Sequence, residues 1–178
     1  MSLIDGHLVL VGLPGAGKSI IGRAVARQLR RPFLDFDAEI ERRVHCTVAQ
    51  YFARSGEAAF RELELLLTRE LATAAPMVLA PGGGWVTNPG VMQLLRPPGR
   101  IVYLRVSPQE AMRRIARSRH VRPLLQEADP EAKMRELWTA RSALYEDADA
   151  VVDVEKLTSQ QVTDSVVTLA HGATPGIG

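Results

Sequence analysis

Short apolar runs alternate with amphipathic stretches along most of the chain. The first run, at 7–11, reads His-Leu-Val-Leu-Val, which is typical of a strand buried on both faces of a parallel sheet. In the stretch 19–29, apolar residues recur at helical spacing, which predicts a helix with one buried face. The predicted strands are 7–11, 33–37, 77–80, 100–106 and 150–154. The predicted helices are 19–29, 38–73 with an interruption at 55–57, one beginning at 107, 130–145 and 159–170.

Strands that alternate with helices predict βαβ units, and therefore an α/β protein whose parallel sheet has helices on both faces. With 178 residues, of which 46% are hydrophobic, we expect one domain over residues 1–171. The last residues, 172–178, have the composition of a disordered tail. No apolar run approaches the ~20 residues that span a bilayer, and no basic region precedes the first apolar run, so we expect neither a membrane span nor a signal peptide.

Charge and cysteine content restrict the partners and the compartment. The 22 Lys and Arg residues nearly balance the 20 Asp and Glu residues, and a net charge of +2 is only a weak indication of nucleic-acid binding. Lysine occurs only at Lys18, Lys133 and Lys156, so the basic residues are mostly arginines, which favour planar, two-pronged recognition of anions. The one cysteine, Cys46, cannot form an internal disulfide or a cysteine-based zinc site. We therefore expect a cytoplasmic protein.

The stretch after the first predicted strand, residues 12–19, reads GLPGAGKS and fits the phosphate-binding pattern G-x-x-x-x-G-K-[ST]. Its glycines let successive N–H groups turn toward phosphate oxygens, and the following helix adds the partial positive charge of its N-terminus. Lys18 would reach the β- and γ-phosphates, and the Ser19 hydroxyl can ligate Mg²⁺. Because a buried strand precedes the motif and an amphipathic helix follows it, the sequence predicts a nucleoside triphosphate site.

Features beyond this loop indicate a small kinase. The sequence contains no N-K-x-D or T-K-x-D string, with which a GTPase reads guanine. A motor or AAA-type ATPase would usually be longer and have an apolar strand that ends in adjacent acids, whereas here the third predicted strand ends in the glycines 82–84. Glycines at the carboxyl end of a strand are typical of a place where the backbone approaches a ligand closely.

Charged side chains follow at the same predicted edge. Asp35 and Asp37 lie two residues apart at the end of the second predicted strand, so we expect them to point together toward the ligand edge, although capping of the next helix is an alternative. Arg61 and Glu64 share a helical face, either as a surface ion pair or as an arginine held ready for a carboxylate. A cluster of five arginines forms a solvated face, an RNA-binding patch or a lid over the phosphoryl group. These arginines are Arg113, Arg114, Arg117, Arg119 and Arg122.

Taken in order, these motifs resemble those of the shikimate kinase family, from about residue 8 to about residue 162. The ordered set of an acid pair, F-R-x-x-E, three glycines, RPLL and a late arginine is far more specific than a phosphate loop alone. The resemblance implies a three-layer α/β/α P-loop kinase fold with a five-stranded parallel sheet in the order 2-3-1-4-5, a substrate-binding segment at 38–64 and a lid at 113–126. The matching strings are GLPGAGKS, Asp35-Phe36-Asp37, Ile40-Glu41, GEAAFRELE, VLAPGGG, Val102-Tyr103-Leu104, RPLL at 122–125, and Arg141 with Leu144-Tyr145.

The resemblance further implies phosphorylation of the 3-hydroxyl of shikimate by ATP and Mg²⁺, on the route to chorismate and the aromatic amino acids. Lys18, Asp37 and Arg122 would then be catalytic, with Asp37 as the candidate base, and Ser19 and Asp35 would hold Mg²⁺. Glu64 would orient Arg61. The residues implied for the nucleotide are Gly15, Ala16, Gly17, Lys18, Ser19, Ile20, Arg117, Arg122 and Lys156. Those implied for shikimate are Asp37, Arg61, Gly82, Gly83, Gly84 and Arg141.

Several residues depart from the family pattern without removing a group that has a chemical role. His45-Cys46 stands where a glycine and a long residue are usual, Trp85 replaces a small residue, Pro81 stiffens the strand exit, and Ala143 replaces a proline. Two alternatives stay open: a kinase of the same fold for another hydroxy acid such as quinate or gluconate, and a nucleotide-dependent binding module with a basic lid. We expect a small-molecule substrate, no nucleic-acid or membrane partner, and a monomer.

Overall fold

The computed structural model describes residues 3–117 and 128–172. Strands and helices alternate along this part of the chain, as the hydrophobic pattern predicts. No helix within it is both long enough and apolar enough to cross a membrane. The strands are β1 (Leu8–Val11), β2 (Phe33–Asp35), β3 (Val78–Ala80), β4 (Arg100–Arg105) and β5 (Ala150–Asp153). The helices are α1 (Lys18–Leu29), α2 (Phe36–Val44), α3 (Val48–Leu71), α4 (Pro108–Ala116), α5 (Pro130–Glu146) and α6 (Ser159–Ala170).

The five strands form one parallel sheet in the order β2-β3-β1-β4-β5, which confirms the predicted fold. In the centre of the sheet, Leu8 of β1 pairs with Val78 on one side and with Arg100 on the other. The whole of β1 is buried, because helices cover the sheet. Parallel strands place their carboxyl ends at one edge, and that edge is where ligands bind in open α/β sheets.

The second strand is shorter than predicted. The prediction that 33–37 is a strand is wrong in its last two residues, because β2 ends at Asp35 and α2 begins at Phe36. The cause is the Asp35 carboxylate, whose Oδ1 accepts a hydrogen bond from the Ala38 N–H at 3.2 Å and so caps the helix. Asp37 therefore lies in the first turn of α2 rather than on the strand.

The long helical segment predicted at 38–73 is divided twice. Between α2 and α3, His45 has a φ of 55°, and Thr47 forms a reciprocal capping box with Gln50 that begins α3. The sequence analysis did not predict this break. Within α3, Gly56 has a non-helical φ of 81°, at the interruption predicted for 55–57. Two short 3-10 helices, Trp85–Thr87 and Met92–Leu94, were also not predicted.

Two predicted segments extend beyond the described residues. Of the predicted lid at 113–126, the structure describes 113–117, the end of α4 and its cap, whereas Arg119 and Arg122 lie outside the described residues. The predicted tail at 172–178 also lies outside them, except for Gly172. The start of α4 agrees with the prediction, because the Ser107 side chain accepts a hydrogen bond from the Glu110 N–H and Pro108 occupies the first turn.

Candidate active site

The phosphate loop lies between the end of β1 and the start of α1, packed closely against β4 and α4. Gly12 has a φ of 148° and Gly15 has a φ of 88°, conformations that other residues rarely adopt. A Cβ atom on Gly12 would lie 2.6 Å from the carbonyl oxygen of Leu104, and one on Gly15 would lie 2.6 Å from that of Ala111. Both the backbone angles and the available space therefore require glycine at these two positions.

Lys18 is the first residue of α1, and its ammonium group bends back over the loop. Its Nζ donates hydrogen bonds to the carbonyl oxygens of Gly12 at 2.8 Å and Leu13 at 3.1 Å. These contacts hold a positive charge beside the loop whose glycines are suited to phosphate. Lys18 can donate to a phosphate oxygen there by exchanging one of these carbonyl partners.

Asp35 serves both roles that the sequence analysis treated as alternatives. Its Oδ2 accepts a short hydrogen bond from the Ser19 hydroxyl, while its Oδ1 caps α2. The end of β2 is thereby joined to the first turn of α1. A hydroxyl and a carboxylate beside a phosphate loop are the oxygen ligands that Mg²⁺ prefers. In the described part of the chain, no cluster of three or more His, Cys, Asp or Glu side chains could hold a metal ion. A Mg²⁺ site here would therefore depend on nucleotide phosphates for further ligands.

Asp37 and Glu64 come together at Gly82, immediately beyond β3. A Cβ atom on Gly82 would lie 3.0 Å from Asp37 Oδ1 and 3.2 Å from Glu64 Oε1. Both carboxylates therefore lie so close to the first of the three glycines that a side chain there would be crowded. Three elements that are distant in sequence, α2, α3 and the loop after β3, meet at this point.

Arg61 is a half-buried residue that pairs with a fully buried carboxylate. Its Nη1 donates to Glu64 Oε2 at 2.6 Å, and its Nη2 donates to Glu57 Oε1 at 2.7 Å. The side chain of Arg61 is 13% exposed and that of Glu64 is 0% exposed. The guanidinium also fills the space beside Gly84, where any Cβ atom would clash with it. The geometry favours the second of the two predicted interpretations, an arginine held in place by carboxylates.

Glu64 is in an environment that disfavours its charged form. Its pKa is raised to about 7, mainly by burial and also by the carboxylate of Asp37, although the guanidinium of Arg61 and the amide of Asn88 act in the opposite direction. Asn88 Nδ2 donates to Glu64 Oε2 at 3.3 Å. The other oxygen, Oε1, is buried and has no hydrogen-bond partner within 3–117 and 128–172.

A second arginine approaches the glycines from α5. Arg141 is buried, and its Nη1 has no hydrogen-bond partner among the residues that the structure describes. One turn further, the Tyr145 hydroxyl donates to the carbonyl oxygen of Gly83 at 2.6 Å. Burial raises the pKa of Tyr145 above its usual range, and the charges of Arg141 and Arg61 act against that increase. The charges of both guanidinium groups therefore act on Tyr145, whose hydroxyl binds the carbonyl oxygen of Gly83.

Three of the residues predicted for the nucleotide, Ile20, Arg117 and Lys156, are exposed. Ile20 is 67% exposed in the first turn of α1, and Arg117 and Lys156 are exposed after α4 and β5. Arg114 Nη2 donates to the carbonyl oxygen of Val154 at 2.7 Å, which fixes α4 against the segment that follows β5. Arg117 and Lys156 thus follow α4 and β5, which the hydrogen bond from Arg114 to Val154 holds together. The structure brings neither of them into contact with Lys18 or Ser19.

The sequence analysis did not predict the hydrogen bonds that Asn88 and Thr68 form with Glu64. Asn88 contacts Glu64, and Thr68 Oγ1 donates to the Glu64 carbonyl oxygen at 2.7 Å. Tyr145 was noted only as part of a matching string. The one signal for Asn88 is a polar residue in the apolar stretch 85–95, and no local pattern marks Thr68, because an isolated threonine in a helix is ordinary.

Comparison with known protein families gives a consistent result. The family model described as shikimate kinase matches residues 14–170. A shikimate kinase from Paracidovorax citrulli is 48% identical over 141 residues, which are 78% of this chain and 76% of that protein. A shikimate kinase from Chromohalobacter salexigens is 43% identical over 161 residues, which are 90% of this chain and 89% of that protein.

Comparison with solved structures agrees. A shikimate kinase from Acinetobacter baumannii in complex with shikimate superposes with a TM-score of 0.86 at 35% identity, covering 92% of both chains. A gluconokinase from Sinorhizobium meliloti superposes with a TM-score of 0.59 at 17% identity, covering 96% of this chain and 92% of that chain. At that identity, the second likeness shows the fold alone.

Proposed function

The chain belongs to the shikimate kinase family, and we propose that the site described above transfers the γ-phosphoryl group of ATP to the 3-hydroxyl of shikimate. The observation that carries this proposal is that Arg61 fills the space at Gly84 while Arg141 lies one turn before Tyr145, whose hydroxyl binds the carbonyl oxygen of Gly83. A half-buried guanidinium, that of Arg61, and a buried one, that of Arg141, with a nitrogen that has no described partner, suit a ligand carboxylate. The phosphate loop is positioned separately at the end of β1, so the carboxylated acceptor and ATP would have distinct sites.

The nucleotide phosphates would lie in the loop. The backbone N–H groups of Gly15, Ala16 and Gly17 would donate to phosphate oxygens, together with the start of α1. Lys18 would neutralise the charge that builds up during transfer. Further nucleotide contacts are proposed for Ser19, Ile20, Arg117, Lys156 and Arg122, the last of which lies outside the described residues.

Ser19 and Asp35 fit Mg²⁺, because their oxygens already meet at the loop. When bound, Mg²⁺ neutralises phosphate charge. Asp35 would reach the ion through water. The cap that Asp35 places on α2 holds its carboxylate in the required position, since Oδ1 is already engaged by the Ala38 N–H.

The acceptor would be bound by its carboxylate and by its ring hydroxyls. Arg61, Arg141 and the backbone of Gly82, Gly83 and Gly84 would hold the carboxylate, and Glu64 would keep Arg61 in place. Asp37 would bind the ring hydroxyls and accept the proton of the 3-hydroxyl. As that oxygen forms its bond to the γ-phosphorus, the bond from phosphorus to the bridging oxygen breaks and ADP leaves.

The organisation of the chain follows from these roles. We propose that residues 1–171 act as one kinase domain, in which 38–64 binds the acceptor and the lid at 113–126, of which 113–117 are described, closes over the phosphates and excludes water. We propose that the protein is a monomer. The single cysteine supports a cytoplasmic location.

The test is ADP release from Mg-ATP without an acceptor and then with shikimate, quinate or gluconate. We expect strong stimulation by shikimate alone. The matched blank is Lys18→Ala, which we expect to lose turnover by roughly 10³-fold while its circular dichroism spectrum stays unchanged. Stimulation by quinate or gluconate but not by shikimate would overturn the acceptor assignment, and normal turnover of Lys18→Ala would overturn the phosphate-loop assignment.

A further inference from the structure

Trp85 is a buried residue that connects the two halves of the acceptor site. Its side chain is 0% exposed, although it directly follows the three glycines. Its indole Nε1 donates to Thr68 Oγ1 at 2.9 Å. Its ring packs edge-on against Phe36, with 6.3 Å between the ring centroids. Phe36 lies between Asp35 and Asp37 in the chain. The indole therefore contacts the segment that contains these two acids through Phe36, and it contacts α3 through Thr68.

The contact with α3 continues to Glu64 by two routes. Thr68 Oγ1 uses both of its hydrogen-bonding capacities, since it accepts from Trp85 and donates to the carbonyl oxygen of Glu64. Asn88 Nδ2 donates both to Glu64 Oε2 and to the carbonyl oxygen of Trp85 at 3.1 Å. The turn that contains Trp85 is therefore linked to the backbone of Glu64 through Thr68 and to its carboxylate through Asn88.

We propose that Trp85 and Thr68 are positioning residues for shikimate, which set the place of Arg61 by fixing Glu64. This inference rests on the proposed function, in which Arg61 binds the shikimate carboxylate. Neither residue would touch the substrate. Their effect passes through the hydrogen bonds from indole to hydroxyl, from hydroxyl to carbonyl, and from Arg61 Nη1 to Glu64 Oε2.

The physical reason is that the Glu64 side chain, unlike its helical backbone, has few contacts that fix it. Its carboxylate is buried, one oxygen has no described partner, and the other is shared by Arg61 and Asn88. A guanidinium must be held within a fraction of an ångström to form two parallel bonds with a carboxylate. A shift of the Glu64 backbone would therefore move Arg61 and weaken substrate binding, while leaving Lys18 and the phosphate loop in place.

The experiment compares Thr68→Val, which keeps the shape but removes the hydroxyl, with Thr68→Ser, which keeps the hydroxyl. For Thr68→Val we expect the KM for shikimate to rise roughly 5- to 20-fold, the lower part of the range for an unsatisfied buried hydrogen bond, with kcat and the KM for ATP within about twofold. Thr68→Ser should restore the wild-type KM. The matched control is Thr163→Val in α6, since Thr163 is also buried and donates to the carbonyl four residues earlier.

Further arms make each outcome decisive. Trp85→Phe keeps an aromatic ring but removes the N–H, and it should raise the KM for shikimate in the same way. If Thr68→Val does not fold, the KM of Trp85→Phe tests the inference in its place. In an Arg61→Ala background, Thr68→Val should have no further effect on that KM. An unchanged KM in active Thr68→Val and Trp85→Phe, or an equal rise in Thr163→Val, would overturn the inference alone. Failure of shikimate to stimulate the wild type would overturn the proposed function and this inference with it.

Discussion

The guanidinium of Arg61 occupies the space beside Gly84 that any larger residue would need for its Cβ atom. Hydrogen bonds to Glu57 and Glu64 hold the guanidinium, so its displacement would break them. Gly84 itself has an ordinary φ of −90°, and its backbone does not require glycine. The third glycine is therefore required by the arginine beside it.

Gly84→Ala should consequently act on Arg61. We expect the variant to fold, because no backbone strain arises, and its KM for shikimate to rise roughly tenfold or more, because the displaced guanidinium loses its two-pronged contact with a carboxylate. The KM for ATP should stay within about twofold. Steady-state kinetics with each substrate varied in turn measures both constants.

A double-mutant cycle tests whether this effect passes through Arg61. If it does, Arg61→Ala and the double variant Arg61→Ala/Gly84→Ala should have the same KM for shikimate. Additive increases would contradict the explanation and would indicate that the methyl group blocks the substrate directly.

Asp35 allows its two roles to be separated by two substitutions. Asn is as good a helix cap as Asp, so Asp35→Asn should keep the stability within ~0.5 kcal/mol, whereas Asp35→Ala should lose about 1 kcal/mol of the free energy of unfolding. Both should raise the Mg²⁺ concentration for half-maximal rate by roughly tenfold, because both remove the charge beside Ser19. Urea unfolding and Mg²⁺ titration of the rate measure the two effects. A normal Mg²⁺ requirement in Asp35→Asn would exclude Asp35 from the metal site.

The fold could be predicted because its signals are local. A buried run, a glycine turn and a helical period follow one another, and they specify the strand order once the family resemblance is included. The errors lie where one side chain decides a boundary. Asp35 ends β2 because it caps α2. His45 has a positive φ that ends α2, and a histidine in the sequence does not predict such a conformation.

The candidate site divides in the same way. Arg61, Arg141 and the glycines were predicted because they belong to motifs with fixed spacing. The contacts that position them join residues far apart in the chain: Tyr145 and Gly83 are separated by 62 residues, and Asn88 and Glu64 by 24. Such contacts depend on how the helices and strands pack against one another. No pattern in a single sequence predicts that packing residue by residue.

Arg141→Lys should show whether the planar guanidinium is needed. Lysine keeps the charge but donates from one point, so we expect the KM for shikimate to rise roughly 10- to 100-fold with the KM for ATP unchanged. Arg135→Lys is the matched control, because Arg135 is exposed on the same helix and should have no effect. Equal kinetics of Arg141→Lys and the wild type would show that the carboxylate is bound elsewhere.

Glu64 should make the stability depend on pH in the direction opposite to an ordinary ion-paired carboxylate. Its pKa is raised to about 7 in the folded protein by burial, despite Arg61 and Asn88 and with Asp37 adding to the increase, against 4.5 for the unperturbed group. The stability contributed by its neutral form is fully present below the unfolded pKa, and it is lost as the pH rises through about 7. Glu39 and Glu110, whose pKa values are lowered to about 2 by their arginines, stay ionised between pH 5 and 8 and add no slope.

The measurement is the free energy of unfolding in urea at pH 5 and at pH 8 for the wild type and for Glu64→Gln, which keeps the shape but cannot titrate. We expect the wild type to lose on the order of 1–3 kcal/mol more than the variant between these values. The difference between the two proteins cancels the contributions of the other titrating groups, which both proteins retain. A parallel pH dependence in the two proteins would show that Glu64 is ionised throughout this range, and that Arg61 therefore compensates its burial fully.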